Sequence, residues 1–264
     1  DFQIPQSWND LSDYQLKNIS YLLLAEGLTR DTLKIKSKLL YYLFISQFNI
    51  WKYLKFRKLA SAVPASQLFP FLNFIESGIT RTKFIPFVKV KGKVFYGPED
   101  RLSNLTIEEF SAADLYFYEW RTKNSLPDLD RLITILYREP ADQPDAKDIR
   151  KPYSPFDLKK RGKYIPKLDS KTKMAIGLTY LSCRELIVKK FPVVFPKPKG
   201  DSKKDTSKKK YQSFNPVVIS MSMDEIKPLG DYEQVKNTLI EPFFTFLTES
   251  ILIQKAKERA ARKK

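Results

Sequence analysis

The chain has 264 residues, 42% of them hydrophobic and 14% aromatic, and a formal net charge of +17. A chain of this size and composition can bury roughly three-quarters of the surface its unfolded form exposes, which excludes a disordered or fibrous class. Histidine is absent and cysteine occurs once, at Cys183. This excludes Ser–His and Cys–His nucleophile activation, His-based or Cys-based zinc sites within the chain, and an intrachain disulfide.

The charge is unevenly placed. Residues 147–173 hold ten Lys/Arg against three Asp, residues 197–210 seven Lys against two Asp, and residues 254–264 six Lys/Arg against one Glu. These stretches account for the whole excess, so the remainder sums to zero and reads as a neutral body with basic appendages. No apolar run approaches the roughly 18 residues that span a bilayer. The opening Asp1–Pro5 has neither the basic flank nor the apolar stretch of a secretory signal. The expectation is a soluble protein not exported by the standard route.

In chain order, Ser12-Asp13-Tyr14-Gln15 reads as a capping box opening a helix with Leu16, Ile19 and Leu23 on one face and Gly27 at its end. A second helix is expected over about Arg30–Phe48, with Leu39, Tyr42, Leu43 and Ser46 inward. A third, Ile50–Leu59, interleaves Trp51, Tyr53 and Phe56 with Lys52, Lys55 and Arg57. Such a pattern can stack nucleic-acid bases. The simpler reading is a half-buried helix whose Lys stems cover apolar surface.

A further helix starts near Ser66 or Pro70 and is closed by Gly78. Period-two alternation over 83–96, broken at Lys91-Gly92, predicts a β-hairpin with Pro86 at its edge. Thr106-Ile107-Glu108-Glu109 is a second capping box, and Glu108 and Glu109 suit the positive end of the helix dipole. Phe110, Ala113, Phe117 and Trp120 follow on one face. After Asn124–Pro127, Leu129, Leu132, Ile133, Leu136 and Tyr137 form a clean helical stripe ended by Arg138-Glu139-Pro140.

Five prolines over 140–168 predict an irregular basic excursion. A long helix over about Ser170–Phe191 carries Ile176, Tyr180, Cys183 and Ile187. Residues 196–212 are low in complexity and predict a disordered linker. Val217–Ile219 read as a short strand or extended piece. Pro242 marks the first turn of a last helix, with Phe243, Phe246, Leu247, Ser250 and Ile251 inward. The fold class expected is mainly α, with one small hairpin and a disordered basic linker. Its parts are a body at 1–140, the excursion at 141–168 and a C-terminal part at 169–264 forming one unit with the body.

No Gly-rich phosphate loop or nucleophile elbow occurs, so no catalytic, cofactor or metal-binding residue is assigned and a non-enzymatic role is expected. Lys159, Lys160, Arg161 and Lys163, with Lys208, Lys209 and Lys210, are candidate contacts for nucleic-acid phosphates or an acidic partner. The helix pair bearing Phe110, Phe117, Trp120, Tyr137 and Arg138 is the candidate partner-contact region.

That helix pair also carries a resemblance. Leu105, Thr106, Glu109, Phe110, Ile133, Leu136, Tyr137, Arg138 and Pro140 resemble a pattern in phage and prophage tail-assembly chaperones and neighbouring tail-module proteins. Residues 4–23 and 230–250 resemble pieces of proteins from phages and prophages of Bacteroidetes-type bacteria. The resemblance covers about a third of the chain. It implies a tail or virion assembly protein, chaperone-like or a structural adaptor. Other tail or virion proteins would be its partners, an oligomer is possible, and it would act in the bacterial host cytoplasm or in the virion. The hairpin and the basic excursion lie outside the pattern. The alternative reading is a sequence-nonspecific nucleic-acid binder using the basic loops.

Overall fold

Helices follow one another along most of the chain, as the 3.6-residue periodicity requires. The structure is a computed structural model that describes residues 2–24, 32–47, 49–145, 148–196, 211–224 and 229–262. It is 65% helical with two small antiparallel sheets, which puts the chain in the expected mainly-α class. In chain order the elements are α1 (Asp13–Leu24), α2 (Thr32–Phe44), α3 (Ile50–Ala62), α4 (Ala65–Leu68), α5 (Asn73–Glu76), β1 (Phe87–Val90), β2 (Lys93–Tyr96), α6 (Ile107–Lys123) and α7 (Leu126–Leu136). Then come β3 (Pro140–Asp145), β4 (Asp148–Arg150), α8 (Leu158–Arg161), α9 (Ser170–Lys190), α10 (Asn215–Met223), α11 (Tyr232–Lys236) and α12 (Ile240–Ala261). Gly27, Arg30, Phe48 and most of the 196–212 linker lie outside the described residues.

The chain divides into two compact units, Asp1–Ile85 with Lys167–Cys183, and Pro86–Pro166 with Arg184–Lys264. This grouping cuts across the body, excursion and C-terminal part read from the sequence. The excursion belongs with the second unit through Pro166, and α9 contributes its residues through Cys183 to the first and the rest to the second.

In the first unit the capping box forms as expected. The Gln15 amide donates to Ser12 Oγ at 3.3 Å, and the Ser12 amide donates to Gln15 Oε1 at 2.9 Å. The same two residues tie α1 to the end of α2, because Gln15 Nε2 donates to the Leu43 carbonyl and Ser12 Oγ to that of Ser46. Trp8 is fully buried, and its indole N–H donates to the Gly78 carbonyl at 2.8 Å. Asp169 caps α9, accepting from the Thr172 amide at 2.9 Å and its hydroxyl at 2.6 Å. Cys183 is buried, in keeping with a small core side chain.

In the second unit β1 and β2 pair as a hairpin whose two-residue loop, Lys91 (φ 47°) and Gly92 (φ 79°), has the left-handed conformations of a tight turn. A second small sheet, β3 with β4, forms where the prolines predicted irregular chain. α6 and α7 pack as an antiparallel-type pair joined through Asn124, which takes φ 51°. The expected faces are buried: Phe110, Ala113, Phe117 and Trp120 on α6, and Leu129, Leu132, Ile133, Leu136 and Tyr137 on α7.

Two expectations fail in the C-terminal part. Val217–Ile219 lie in helix α10. Pro216 starts its first turn, and Val218 and Met221, three apart, are the buried residues. Packing on one helical face outweighs the strand preference of a β-branched run. On α12 the buried residues are Ile240, Phe243 and Phe244, while Phe246 and Ser250 are exposed and Leu247 and Ile251 half-buried. Phe244 is the reason. Its ring meets Phe110, Phe191, Phe195, Phe214 and Phe243 at centroid distances of 5.3–5.6 Å, which fixes the rotation of the helix about that residue.

Candidate functional site

The motif residues Glu109 and Arg138 meet inside the second unit. The Thr106 hydroxyl caps α6 by accepting from the Glu109 amide at 3.3 Å. The reciprocal half of a capping box is replaced, because the Glu109 carboxylate turns inward. Its Oε2 lies 3.2 Å from Arg138 Nη1 as an ion pair without hydrogen-bond geometry, and its Oε1 accepts from Arg150 Nη1 at 3.4 Å. Arg150 also forks onto Asp148, with Nη2 to Oδ2 at 2.8 Å and Nε to Oδ1 at 3.0 Å, and donates to the Leu136 carbonyl at 2.9 Å. Arg138 Nη2 reaches Asp148 Oδ2 at 3.2 Å.

Two guanidiniums and two carboxylates thus balance, with Glu109, Arg138 and Arg150 all but inaccessible. Backbone bonds hold the same place. Tyr96 and Arg138 exchange amide bonds at 2.7 and 3.0 Å, and the Lys151 amide donates to the Glu139 carbonyl at 2.8 Å. Burial pushes the Glu109 carboxyl above its usual range against the pull of Arg150 and Arg138, and lowers Arg138 against the pull of Glu109. Burial also raises the Tyr153 phenol, followed by the nearby charges of Glu108 and Glu109. The network joins the start of α6, the end of α7 and β4. Glu109, Arg138 and Arg150 offset one another's charge away from solvent, with Asp148 at the partly exposed edge, so the network braces the unit.

Two clefts open on the second unit. One of about 500 Å³ is lined by Tyr116, Arg131, Thr134, Leu158, Lys159 and Gly162. Arg131 lies over the Tyr116 ring at 5.5 Å and pairs with Asp128 at 3.0 Å. The other, about 1030 Å³, is largely apolar, with Val188, Phe195, Phe214, Leu247 and Ile251 among its walls. Asp114 in its wall is buried and gripped by Arg184 through Nε and Nη2. Among the described residues no group of three or more Cys, Asp or Glu side chains comes together as a metal site.

The candidate contact residues separate. Lys159, Lys160 and Lys163 are exposed around α8. Arg161 is buried, with Nε donating to the Thr134 carbonyl at 3.2 Å, so it belongs to the interior and is withdrawn from the basic surface. Lys208, Lys209 and Lys210 lie outside the described residues. Phe110, Phe117, Trp120, Tyr137 and Arg138 are all buried. They hold the helix pair together, and a partner could touch them only if the pair opened. In comparisons with family models, curated proteins and solved structures, nothing matches this chain.

Sequence reading missed two features. Glu109 looked like a first-turn acid, and Arg150 like one more solvated charge of the basic excursion. The only available signal was a capping-box glutamate inside a motif that also carries an arginine, Arg138. The second feature is the evenness assumed for the rest of the chain. Residues 32–75 carry seven Lys/Arg and no Asp or Glu, an excess hidden because acids elsewhere cancel it in the sum.

Proposed function

We propose that the protein is a non-enzymatic component of a phage or prophage tail or virion assembly module, chaperone-like or a structural adaptor, that works through protein–protein contacts in the host cytoplasm or the virion. The observation that carries this reading is α12. The helix is anchored by Phe243 and Phe244, yet no later residue described on it is buried, and Phe246, Leu252 and Ile253 are 41%, 45% and 55% exposed. A helix braced at one end that keeps apolar side chains exposed as far as Ile253, ahead of its charged last turns, suits packing against another protein. The resemblance at 105–140 supplies the class of partner.

The test is co-expression with the products of flanking tail-tube and tape-measure genes. A stable complex is expected, and Phe246→Asp with Ile253→Asp should abolish it without unfolding the protein. Normal tailed particles from a virus lacking this gene, or turnover of a nucleotide or sugar substrate by the purified protein, would refute the reading.

A second reading rests on the exposure of Lys159, Lys160 and Lys163, which suits sequence-nonspecific contact with nucleic acid. Affinity should then fall steeply with salt, by a log–log slope of about −0.9 per phosphate neutralised on a duplex.

A further inference from the structure

Helix α3 lies in the first unit and carries a surface that the rest of that unit does not use. Its start is well built, because Asn49 Oδ1 accepts from the Trp51 amide at 2.8 Å and the Lys52 amide at 3.3 Å. Its inner side is held by aromatic contacts, with Tyr41 meeting Tyr53 at 5.9 Å and Phe56 at 5.8 Å, and by Lys52 Nζ donating to Ser46 Oγ at 3.0 Å. No residue of α3 is buried. Trp51 is 71% exposed, Ile50 53% and Leu54 47%. At 3.6 residues per turn Ile50, Leu54 and Trp51 share the outward side. Arg57 lies on one flank of them, Lys55 on the other and Lys58 among them, all three exposed.

We infer that α3 is a docking face for the surface of an anionic phospholipid bilayer. Charge complementarity names the occupant, since α3 carries Lys52, Lys55, Arg57 and Lys58 and no Asp or Glu. Apolar side chains between flanking cations match the headgroup boundary. Tryptophan and aliphatic groups enter the apolar edge there while long cationic stems reach the phosphates. A second copy of the same face is disfavoured as the occupant, because its flanking cations would oppose those of the first copy. A single-stranded nucleic acid would stack on Trp51 but leave Ile50 and Leu54 in water. No described helix is long and apolar enough to cross a membrane, and this contact requires none.

The full chain should co-sediment with vesicles of phosphatidylcholine and phosphatidylglycerol, and not with phosphatidylcholine alone. Each cation near an anionic surface contributes about 5-fold, so Lys55→Gln, Arg57→Gln and Lys58→Gln together should weaken binding roughly 100-fold. Trp51→Gln with Leu54→Gln should weaken it roughly ten-fold or more. Neither set touches a buried residue, so the melting curves should match the unaltered protein. Lys159→Gln, Lys160→Gln and Lys163→Gln should leave vesicle binding within about three-fold if α3 is the site.

A spectroscopic signature separates this contact from adhesion by the other basic segments. The protein has three tryptophans, and Trp8 and Trp120 are already buried. Only Trp51 can therefore shift its emission to the blue on binding, and Trp51→Phe should abolish the shift while binding persists. The inference is overturned if anionic vesicles do not bind at low salt, if the α3 charge variant binds as well as the unaltered chain, or if Trp51 stays in water. It is equally overturned if single-stranded oligonucleotide shifts Trp51 and displaces the vesicles.

Discussion

Arg150→Met tests whether the buried charges brace the second unit. Methionine keeps much of the stem and its packing but removes the guanidinium, whose side chain is fully inaccessible. The change strips Asp148 of its two-pronged partner, leaves Glu109 with Arg138 alone and orphans the Leu136 carbonyl. Breaking a buried ion pair by deleting one member costs about 3–5 kcal/mol, since the opposite charge stays buried without compensation. The unit should therefore lose that much on urea unfolding. The emission of Trp120 reads it without interference in a background of Trp8→Phe and Trp51→Phe. Adding Glu109→Gln to Arg150→Met should cost less than the two single changes summed, by about 0.5–3 kcal/mol of coupling. Lys159→Met, on the exposed side of the same excursion, should stay within about 0.5 kcal/mol. An Arg150→Met loss below about 1 kcal/mol, or strict additivity with Glu109→Gln, would refute the bracing role.

Two further predictions concern other parts of the fold. Phe244→Ala empties the centre of the aromatic cluster and should cost about 3–5 kcal/mol in the same assay. It should also release α12, seen as faster amide exchange along 245–261. Asp169 is the second case. Burial alone would raise its carboxyl, but the Thr172 hydroxyl and amide hold it below its usual value. The depressed value means that the stabilisation is complete above the unfolded carboxyl range. It is lost as pH falls below about 4 toward the folded value. Asp169→Ala should cost about 1 kcal/mol at neutral pH and flatten that acid limb, and an unchanged acid limb would contradict the cap.

Local rules made much of the fold legible. The Ser12–Gln15 capping box, the Lys91-Gly92 turn and the first-turn Pro242 each form where their chemistry requires, because each depends on backbone groups within four residues. Periodicity found the buried faces of α6, α7 and α9 for the same reason. The candidate site was far less legible. Arg150 and Arg161 stand in a basic stretch among residues that are truly exposed, and nothing adjacent to them marks them as interior.

By itself, then, the sequence determined the mainly-α class, where most helices begin, and the absence of histidine-dependent chemistry. Tertiary structure alone decided that Glu109 leaves its cap to meet two arginines, that Val217–Ile219 coil into a helix, and that Phe244 turns α12. It also decided that Trp51 stays in water. The physical reason is range. Capping and periodicity act over one or two turns, whereas the burial of a charge or a ring depends on partners dozens of residues away, as Glu109 and Arg150 are from each other.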